Sequence, residues 1–414
     1  MRFECSLEEY KKYKLGELVE NVVAGATPKT SVDDYWNGGD IPWLSSGEVH
    51  KKFIYFTDKF ITSEGYNNSS TKIVPTNSVL IALAGQGKTR GTVAINKIEL
   101  CTNQSIASII PNEMLNYKYL FYYLESKYEY LRALSSSDGG RGGLNLKLIR
   151  SIPIQVPSIK EQENISNFIN EIDKKILLLE QKHKLYDDFK KYLMQQIFTQ
   201  KLRFVDFNNS SWKDYKFKDL GTVKSGVGFS NKYQGHLDLD YNFYKVSDMN
   251  LKGNEKVMTR SNNTIDDNLL KDIGVKLIEN PSIIFAKVGE AIFLNRKRIA
   301  KQPFLIDNNM MAFSPNENVD LEFMYYLATS INFGKYAQTG ALPSYNASDI
   351  YSIKCKIPPI EEQKRIGKLL SLADNKIDFC SNQLNKTQEF KKGLLQQMFV
   401  VQLILSLLQN KKHI

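Results

Sequence analysis

The feature that most restricts this chain is that part of it is written twice. Residues 157–198 begin Pro-Ser-Ile-Lys-Glu-Gln and end Phe-Lys-Lys-Tyr-Leu-Met-Gln-Gln-Ile-Phe. Residues 358–399 begin Pro-Pro-Ile-Glu-Glu-Gln and end Phe-Lys-Lys-Gly-Leu-Leu-Gln-Gln-Met-Phe. Pro157 and Pro358, Gln162 and Gln363, Asp173 and Asp374, Ile176 and Ile377 all stand 201 residues apart, without a gap over more than forty positions. Such a register marks an internal duplication, and any fold must be built from two equivalent parts. The stretches ahead of each copy repeat more loosely. Tyr13-Lys14-Leu15 with Leu18 answers Tyr215-Lys216-Phe217 with Leu220, and residues 43–49 answer 243–249. Residues 72–85 answer 276–289, Pro111-Asn112-Glu113 answers Pro315-Asn316-Glu317, and Tyr122-Tyr123-Leu124 answers Tyr325-Tyr326-Leu327.

The repeated segment reads as a long helix. Ser158 three residues before Glu161 makes a capping-box pattern at its start, and Pro358-Pro359 fixes the start of the second copy. Seam positions then follow at alternating steps of four and three: Ile165, Ile169, Ile172, Ile176, Leu179, His183, Tyr186, Lys190, Leu193 and Ile197. Their counterparts are Ile366, Leu370, Ala373, Ile377, Cys380, Leu384, Thr387, Lys391, Leu394 and Met398. No proline interrupts either segment, and only Gly367 and Gly393 weaken the helix. A seam held for nearly five heptads predicts coiled-coil packing. About 34 residues at ~1.5 Å each predict rods of roughly 50 Å. The partner nearest to hand for each rod is the other copy, and halves related by a pseudo-twofold place the rods antiparallel. Use of the helices for homodimerisation alone is the competing reading.

Both variable regions alternate strand-like runs with turns. Residues 78–83, 92–95 and 282–286 are rich in β-branched and aromatic residues and predict strands. Residues 117–134 and 321–331 predict amphipathic, tyrosine-rich helices, whose aromatics read as core. The expected class is α+β: two domains with small β-sheets, separated by two long antiparallel coiled-coil helices with internal pseudo-twofold symmetry. The expected division is 1–156 and 208–357 for the two domains, with helical segments at 157–207 and 358–414. At 414 residues the length fits several folded units, and 24% charged with 42% hydrophobic residues excludes wholesale disorder. A formal net charge of +10 favours a polyanionic partner.

Basic loops in both halves make that partner more definite. Gly85-Gln86-Gly87-Lys88-Thr89-Arg90-Gly91 joins two strand-like runs, Lys287 closes the matching run in the other half, and Asn295-Arg296-Lys297-Arg298 follows it. Gly139-Gly140-Arg141-Gly142-Gly143 is a third basic loop. Arg and Lys read guanine edges or pair with phosphates, and Gln reads adenine. The candidate DNA-contacting residues are Gln86, Lys88, Thr89, Arg90, Arg141, Lys287, Arg296, Lys297 and Arg298, each weighed against an ordinary solvated charge. Nucleic acid is the better reading of the set.

Enzyme readings fare worse. Residues 82–89 approach a phosphate-binding P-loop, yet the mechanism requires a helix to start at the Lys-Thr pair, and Lys88-Thr89 leads into a turn and a strand. Asn280-Pro281-Ser282 lacks the second proline and the aromatic of an amino-methyltransferase motif. Four scattered cysteines (Cys5, Cys101, Cys355, Cys380) and four scattered histidines form no metal-binding or nucleophilic arrangement, and predict a reducing compartment. The start lacks the apolar core of a secretory signal. The apolar run 400–408 is too short to cross a bilayer, so a soluble, cytoplasmic protein is expected. That run departs from the polar sequence after the first copy, and reads as a divergent tail or an altered reading frame.

Taken together, the duplicated Pro-x-Ile-x-Glu-Gln-x-x-Ile start, the Phe-Lys-Lys-x-Leu-x-Gln-Gln-x-Phe ending and the two variable domains resemble the specificity subunit of Type I restriction-modification systems. The resemblance covers essentially the whole chain. It implies two target-recognition domains, each reading one half of a split DNA target, with the helices fixing the gap and docking methylation subunits, two of them expected. It implies no catalysis, cofactor or metal on this chain. S-adenosylmethionine belongs to the methylation subunits, and ATP and magnesium to restriction subunits bound through them. Alternatives from other classes are a protein-only coiled-coil scaffold and a P-loop nucleotide-binding protein.

Overall fold

The computed structural model describes residues 10–85, 88–134, 143–338 and 342–399. Each repeated segment is one helix of 40 residues, Ile159–Phe198 and Ile360–Phe399. At ~1.5 Å per residue each runs ~60 Å, longer than the seam alone predicts. The chain divides into two compact units, residues 1–180 with 382–414, and residues 181–381. Each unit therefore owns the first half of one long helix and the second half of the other.

In the first unit a five-stranded sheet runs in the order Val19–Ala24, Ile106–Pro111, Val79–Ala82, Val93–Asn96, Phe53–Ile54. A three-stranded sheet (Lys59–Ile61, Ile41–Leu44, Cys101–Thr102) and a two-stranded one (Lys11–Lys14 with Pro153–Val156) complete it. The second unit repeats the plan: Gly221–Ser225, Met310–Pro315, Ser282–Ala286, Lys297–Ala300 form four strands. Thr264–Ile265, Tyr241–Tyr244 and Phe304–Ile306 form three, and Lys213–Lys216 pairs with Lys354–Ile357. Central strands are buried on both faces. Val79 and Ile81 face a core that includes the long helices, while Leu80 and Ala82 face a smaller one on the other side of the sheet.

The long helices pack within each unit as an antiparallel pair. Ile165, Ile169 and Ile172 share the first unit's core with Leu394, Leu395, Met398 and Phe399. Leu193 and Ile197 share the second unit's core with Ile366 and Leu370. Leu179 is also buried, whereas Ile176, Ile377 and Leu384 are half-buried. The polar seam lysines are paired: Lys391 with Asp173, and Lys190 with Asp374. The two pairs are repeat equivalents, each member 201 residues from its counterpart. The tail after Phe399 lies outside the described residues.

The Glu-Gln that opens each helix has a physical role different from the predicted capping box. Glu161 does not reach back to cap its own helix start; it is buried and accepts a hydrogen bond from the Tyr10 hydroxyl at 3.0 Å. Gln162 does the bridging: its amide donates to the carbonyls of Pro157 and Met114, both at 3.0 Å, and its oxygen accepts from Asn116 N at 2.9 Å. Gln363 repeats this with Pro358 O at 2.9 Å and Asp320 N at 2.9 Å. Asn116 and Asp320 are the N-caps of the domain helices Tyr117–Ser126 and Leu321–Ser330, so one glutamine ties each domain helix to its long helix. The close approach also explains Gly367, where a Cβ would lie 2.8 Å from Asp320 Oδ1. Here the missing side chain is an adaptation to packing rather than a weakness.

Two expectations need correction. The predicted helix over 117–134 is two helices, Tyr117–Ser126 and Tyr128–Leu134, because Lys127 turns inward and donates to the Phe399 carbonyl at 3.1 Å, closing the end of the second long helix. The tyrosine match is displaced by one. Tyr122 and Tyr326 are the equivalent pair, since each lies beneath its unit's seam lysine. This 204-residue spacing is also that of the paired strands Val79–Ala82 and 283–286.

Candidate nucleic-acid interface

In each unit a β-hairpin loop meets the loop that precedes the return to the long helix. In the first, strands Val79–Ala82 and Val93–Asn96 pair antiparallel, and their connection is closed by Gly91 N to Ala82 O at 2.9 Å. Gly91 has φ +85°, a conformation that suits a residue without Cβ. Tyr128 of the short helix donates to Lys88 O at 2.9 Å and braces the tip from below. Lys88 is exposed, and Thr89 and Arg90 are half-buried. Leu144 N donates to Leu83 O at 3.1 Å, so the segment that returns toward the long helix passes beside this hairpin at Leu144. Gln86 and Arg141 themselves lie outside the described residues. The P-loop alternative finds no helix here, since Lys88-Thr89 leads into a turn and a strand.

The second unit builds the same juxtaposition differently. Strands Ser282–Ala286 and Lys297–Ala300 pair antiparallel, and the loop between them carries a short turn at Glu290–Ile292. Gly289 N donates to Pro343 O at 2.8 Å and Tyr345 N to Lys287 O at 3.2 Å, drawing the hairpin against residues 343–345. Lys287 stands where the first unit has Leu83. The rim includes the exposed Phe293, Leu294 and Leu342.

The Arg-Lys-Arg run is only partly a surface. Residues 297–300 are a strand, and Lys297 occupies the place of the core residue Val93. Its side chain is 2% exposed, donates to Ile331 O at 2.9 Å and to Asn295, and lies 4.0 Å from the Phe333 ring centroid. Burial pushes its ammonium pKa down to about 7. A group so enclosed does not reach a phosphate or a base edge, and Lys297 is withdrawn from the candidates. Arg298 is half-buried, with its pKa lowered by burial, and its guanidinium donates to Lys297 O at 2.9 Å and Met249 O at 3.3 Å. Arg296 is exposed but bonded to Asn250. Both arginines brace the turn Val246–Asn250. The surface candidates that remain are Lys88, Thr89 and Arg90 in one unit, and Lys287 and Arg296 in the other.

Those turns were legible only as an acidic residue in a repeated pattern. Glu48 accepts from Ser45 N at 3.1 Å and Asp58 N at 3.1 Å; Asp248 accepts from Lys245 N at 2.8 Å and Asn262 Nδ2 at 2.8 Å. Both carboxylates are buried and hold a loop, with no role at a surface. Among the described residues no group of three or more His, Cys, Asp or Glu could hold a metal ion, and no helix is long and apolar enough to cross a membrane.

A second surface lies on the long helices. Leu178 and Phe189 are 64% and 55% exposed, and their repeat counterparts Phe379 and Phe390 are 63% and 54% exposed. Eleven residues make about three turns, so each pair lies along one helix face.

A duplicated α+β chain, with hairpin loops that differ between its halves on a repeated helical frame, defines a class of two-domain repeat proteins. A family model described as the Type I restriction modification DNA specificity domain matches residues 7–185 and again 209–389. The chain belongs to that family. It is 27% identical over 427 aligned residues to the Type I restriction enzyme MjaIX specificity subunit of Methanocaldococcus jannaschii, covering 94% of this chain and 95% of that one. Among solved structures, the S subunit of a Type I restriction-modification system from M. genitalium has the same fold at 15% identity, with a TM-score of 0.59 and coverage of 96% and 99%. A chain from work on complex assembly of the type I R-M system aligns at 12% identity, TM-score 0.58, over 94% and 97%.

Proposed function

We propose that this chain is the DNA-reading, non-catalytic subunit of a Type I restriction-modification complex, in which each domain reads one half of a bipartite duplex target. The observation that carries this reading is that two domains of one plan are tied to the same helix pair by equivalent residues, while their hairpin loops differ in sequence. Constant attachment with variable loops is what two different half-sites at a set distance require. Lys88, Thr89, Arg90 and Arg141 with Gln86 serve one half-site, and Lys287 and Arg296 the other. The helices set the gap: ~60 Å is more than one turn of duplex at ~34–36 Å. The paired apolar faces at Leu178–Phe189 and Phe379–Phe390 dock two methylation subunits, large exposed apolar groups being costly unless a partner covers them. S-adenosylmethionine is bound by those subunits; ATP and magnesium are bound by restriction subunits that join through them.

The test is methylome sequencing of a host expressing the chain with its methylation partner, where one asymmetric, interrupted adenine motif is expected. Filter binding then assigns the domains. Replacing Lys88 and Arg90 by alanine weakens one half-site, and replacing Lys287 and Arg296 weakens the other, each about tenfold with a shallower salt dependence. Sequence-independent retention, or unchanged affinity in both double variants, would return the chain to the protein-only scaffold reading. Inserting four residues into the first long helix should change the preferred gap.

A further inference from the structure

Each long helix carries a lysine on its apolar seam, Lys190 in one and Lys391 in the other. Lys391 is 6% exposed, and its Nζ lies 2.7 and 2.9 Å from the two oxygens of Asp173 on the opposite long helix. The same Nζ lies 2.7 Å from Glu125 of the domain helix, and Glu125 also binds Lys52 of the domain at 2.7 Å. The ammonium stands over the Tyr122 ring, 5.2 Å from its centroid. Two long helices and the domain thus meet at one buried charge.

The second unit assembles the same parts with a different acid. Lys190 pairs with Asp374 of the opposite helix and stands 5.5 Å from the Tyr326 ring centroid. Tyr326 donates to Asp374 and accepts from Lys256 at 2.8 Å; Lys256 also reaches Glu322 at 2.7 Å and Ser371 at 3.1 Å. Lys52 and Lys256 keep the 204-residue spacing of the tyrosines. The domain acid moves from one turn after the tyrosine (Glu125) to one turn before it (Glu322). The chemistry is kept although the residue that supplies it changes.

Apolar side chains would hold these surfaces at least as firmly, because buried ion pairs roughly break even against well-packed hydrophobes. What a charge at a seam position adds is a single register and orientation. A slip of either helix by one heptad takes both lysines from their aspartates: Lys391 then faces Ser166 or Glu180, and Lys190 faces Gly367 or Ser381, so Lys190 is left without an acid in either direction. The glutamine latch provides the second attachment: Gln162 and Asp173, like Gln363 and Asp374, are eleven residues or ~16 Å apart along the helix. One attachment is a pivot, whereas two define an angle.

We propose that the Lys391–Asp173–Glu125 and Lys190–Asp374–Tyr326–Lys256 clusters are orientation joints, holding each recognition domain at one angle on the helix pair so that one gap between half-sites is accepted. The proposal rests on the bipartite reading above, and its residues are positioning residues that need not touch DNA.

The test uses the full chain with its methylation partner and two readouts. Methylation rates are measured on targets whose gap is native, or one base pair longer or shorter. Lys391→Met should raise the rate on altered gaps at least tenfold relative to the native gap, while competition by isolated half-site duplexes is unchanged. Lys391→Arg, which keeps the charge between Asp173 and Glu125, should restore discrimination. Independently, spin labels at Tyr55 on the domain and Leu177 on the helix, with Cys5 and Cys355 changed to serine, should give a narrow distance distribution that broadens in Lys391→Met. An unchanged gap profile, or an unbroadened distribution, overturns the joint. If Lys391→Met does not fold, Glu125→Gln removes only the domain's share of the cluster and carries the same two expectations. If the unaltered protein shows no gap preference, the bipartite reading and the gap claim both fail, and the distance distribution still decides the joint.

Discussion

The two domains share a plan, but among the described residues the second satisfies its buried polar groups more completely. Glu362 is fully buried and receives a two-pronged contact from Arg203, at 3.0 and 2.7 Å, plus the Trp212 indole at 3.4 Å. Its counterpart Glu161 has the Tyr10 hydroxyl on one oxygen, while its other oxygen is buried without a hydrogen bond. Tyr326 has partners on both sides of its hydroxyl, whereas the buried Tyr122 hydroxyl has none. The first domain in turn has an extra edge strand, Phe53–Ile54, on its main sheet. The difference teaches which features the duplication holds. Glutamine latches, seam lysines, facing aspartates and ring positions are kept, because each fits surfaces of two or three elements at once. Partners contributed by a single connecting segment drift.

That contrast can be broken or sharpened experimentally. The largest effect is expected at Arg203→Met, which strands a buried carboxylate and should cost about 3 kcal/mol or more of the second unit's stability in urea unfolding. Tyr10→Phe, removing one neutral partner from Glu161, should cost only about 1 kcal/mol. Next, Tyr326→Phe should destabilise by about 1–2 kcal/mol, while Tyr122→Phe should be neutral or slightly stabilising, since no bond is lost. Equal losses at the two tyrosines would show that the units are more alike than their hydrogen bonds indicate. The last contrast, which depends on pH, concerns Lys297. With its folded pKa near 7 and an ordinary value of 10.5, the unfolded chain holds a proton between those limits that the folded chain has released. Stability therefore rises with pH across that window and is lost as pH falls toward 7. Lys297→Met, the counterpart of Val93, should flatten the rise and lift the unfolding midpoint at neutral pH by a few degrees.

Much of this was legible in the sequence. The helix copies announced themselves through period and register, including Lys190 and Lys391 as seam positions, because a helix places residues by local geometry alone. The strands at 79–82, 93–96 and 282–286 were visible for the same reason. Lys297 was misread because Arg-Lys-Arg looks like a solvated run; its alternation with Ile299 was the available signal, and charge obscured it. The tyrosine register slipped by one because Tyr-Tyr-Leu occurs in both halves, and only contact with the long helices shows which ring faces inward. Gln162 belongs to a motif present in both copies, but nothing local says that it bridges Pro157, Met114 and Asn116.

The sequence by itself determined the duplication, the two long helices, the α+β class and the family, since these follow from periodicities and spacings that short-range sterics and apolar patterning impose. Tertiary structure alone decided which charges are buried, which residues join a domain to its helices, and which basic residues remain at the surface. Those outcomes depend on groups brought together from positions as far apart as Glu125 and Lys391, where desolvation and partner geometry, not residue type, determine what a side chain does.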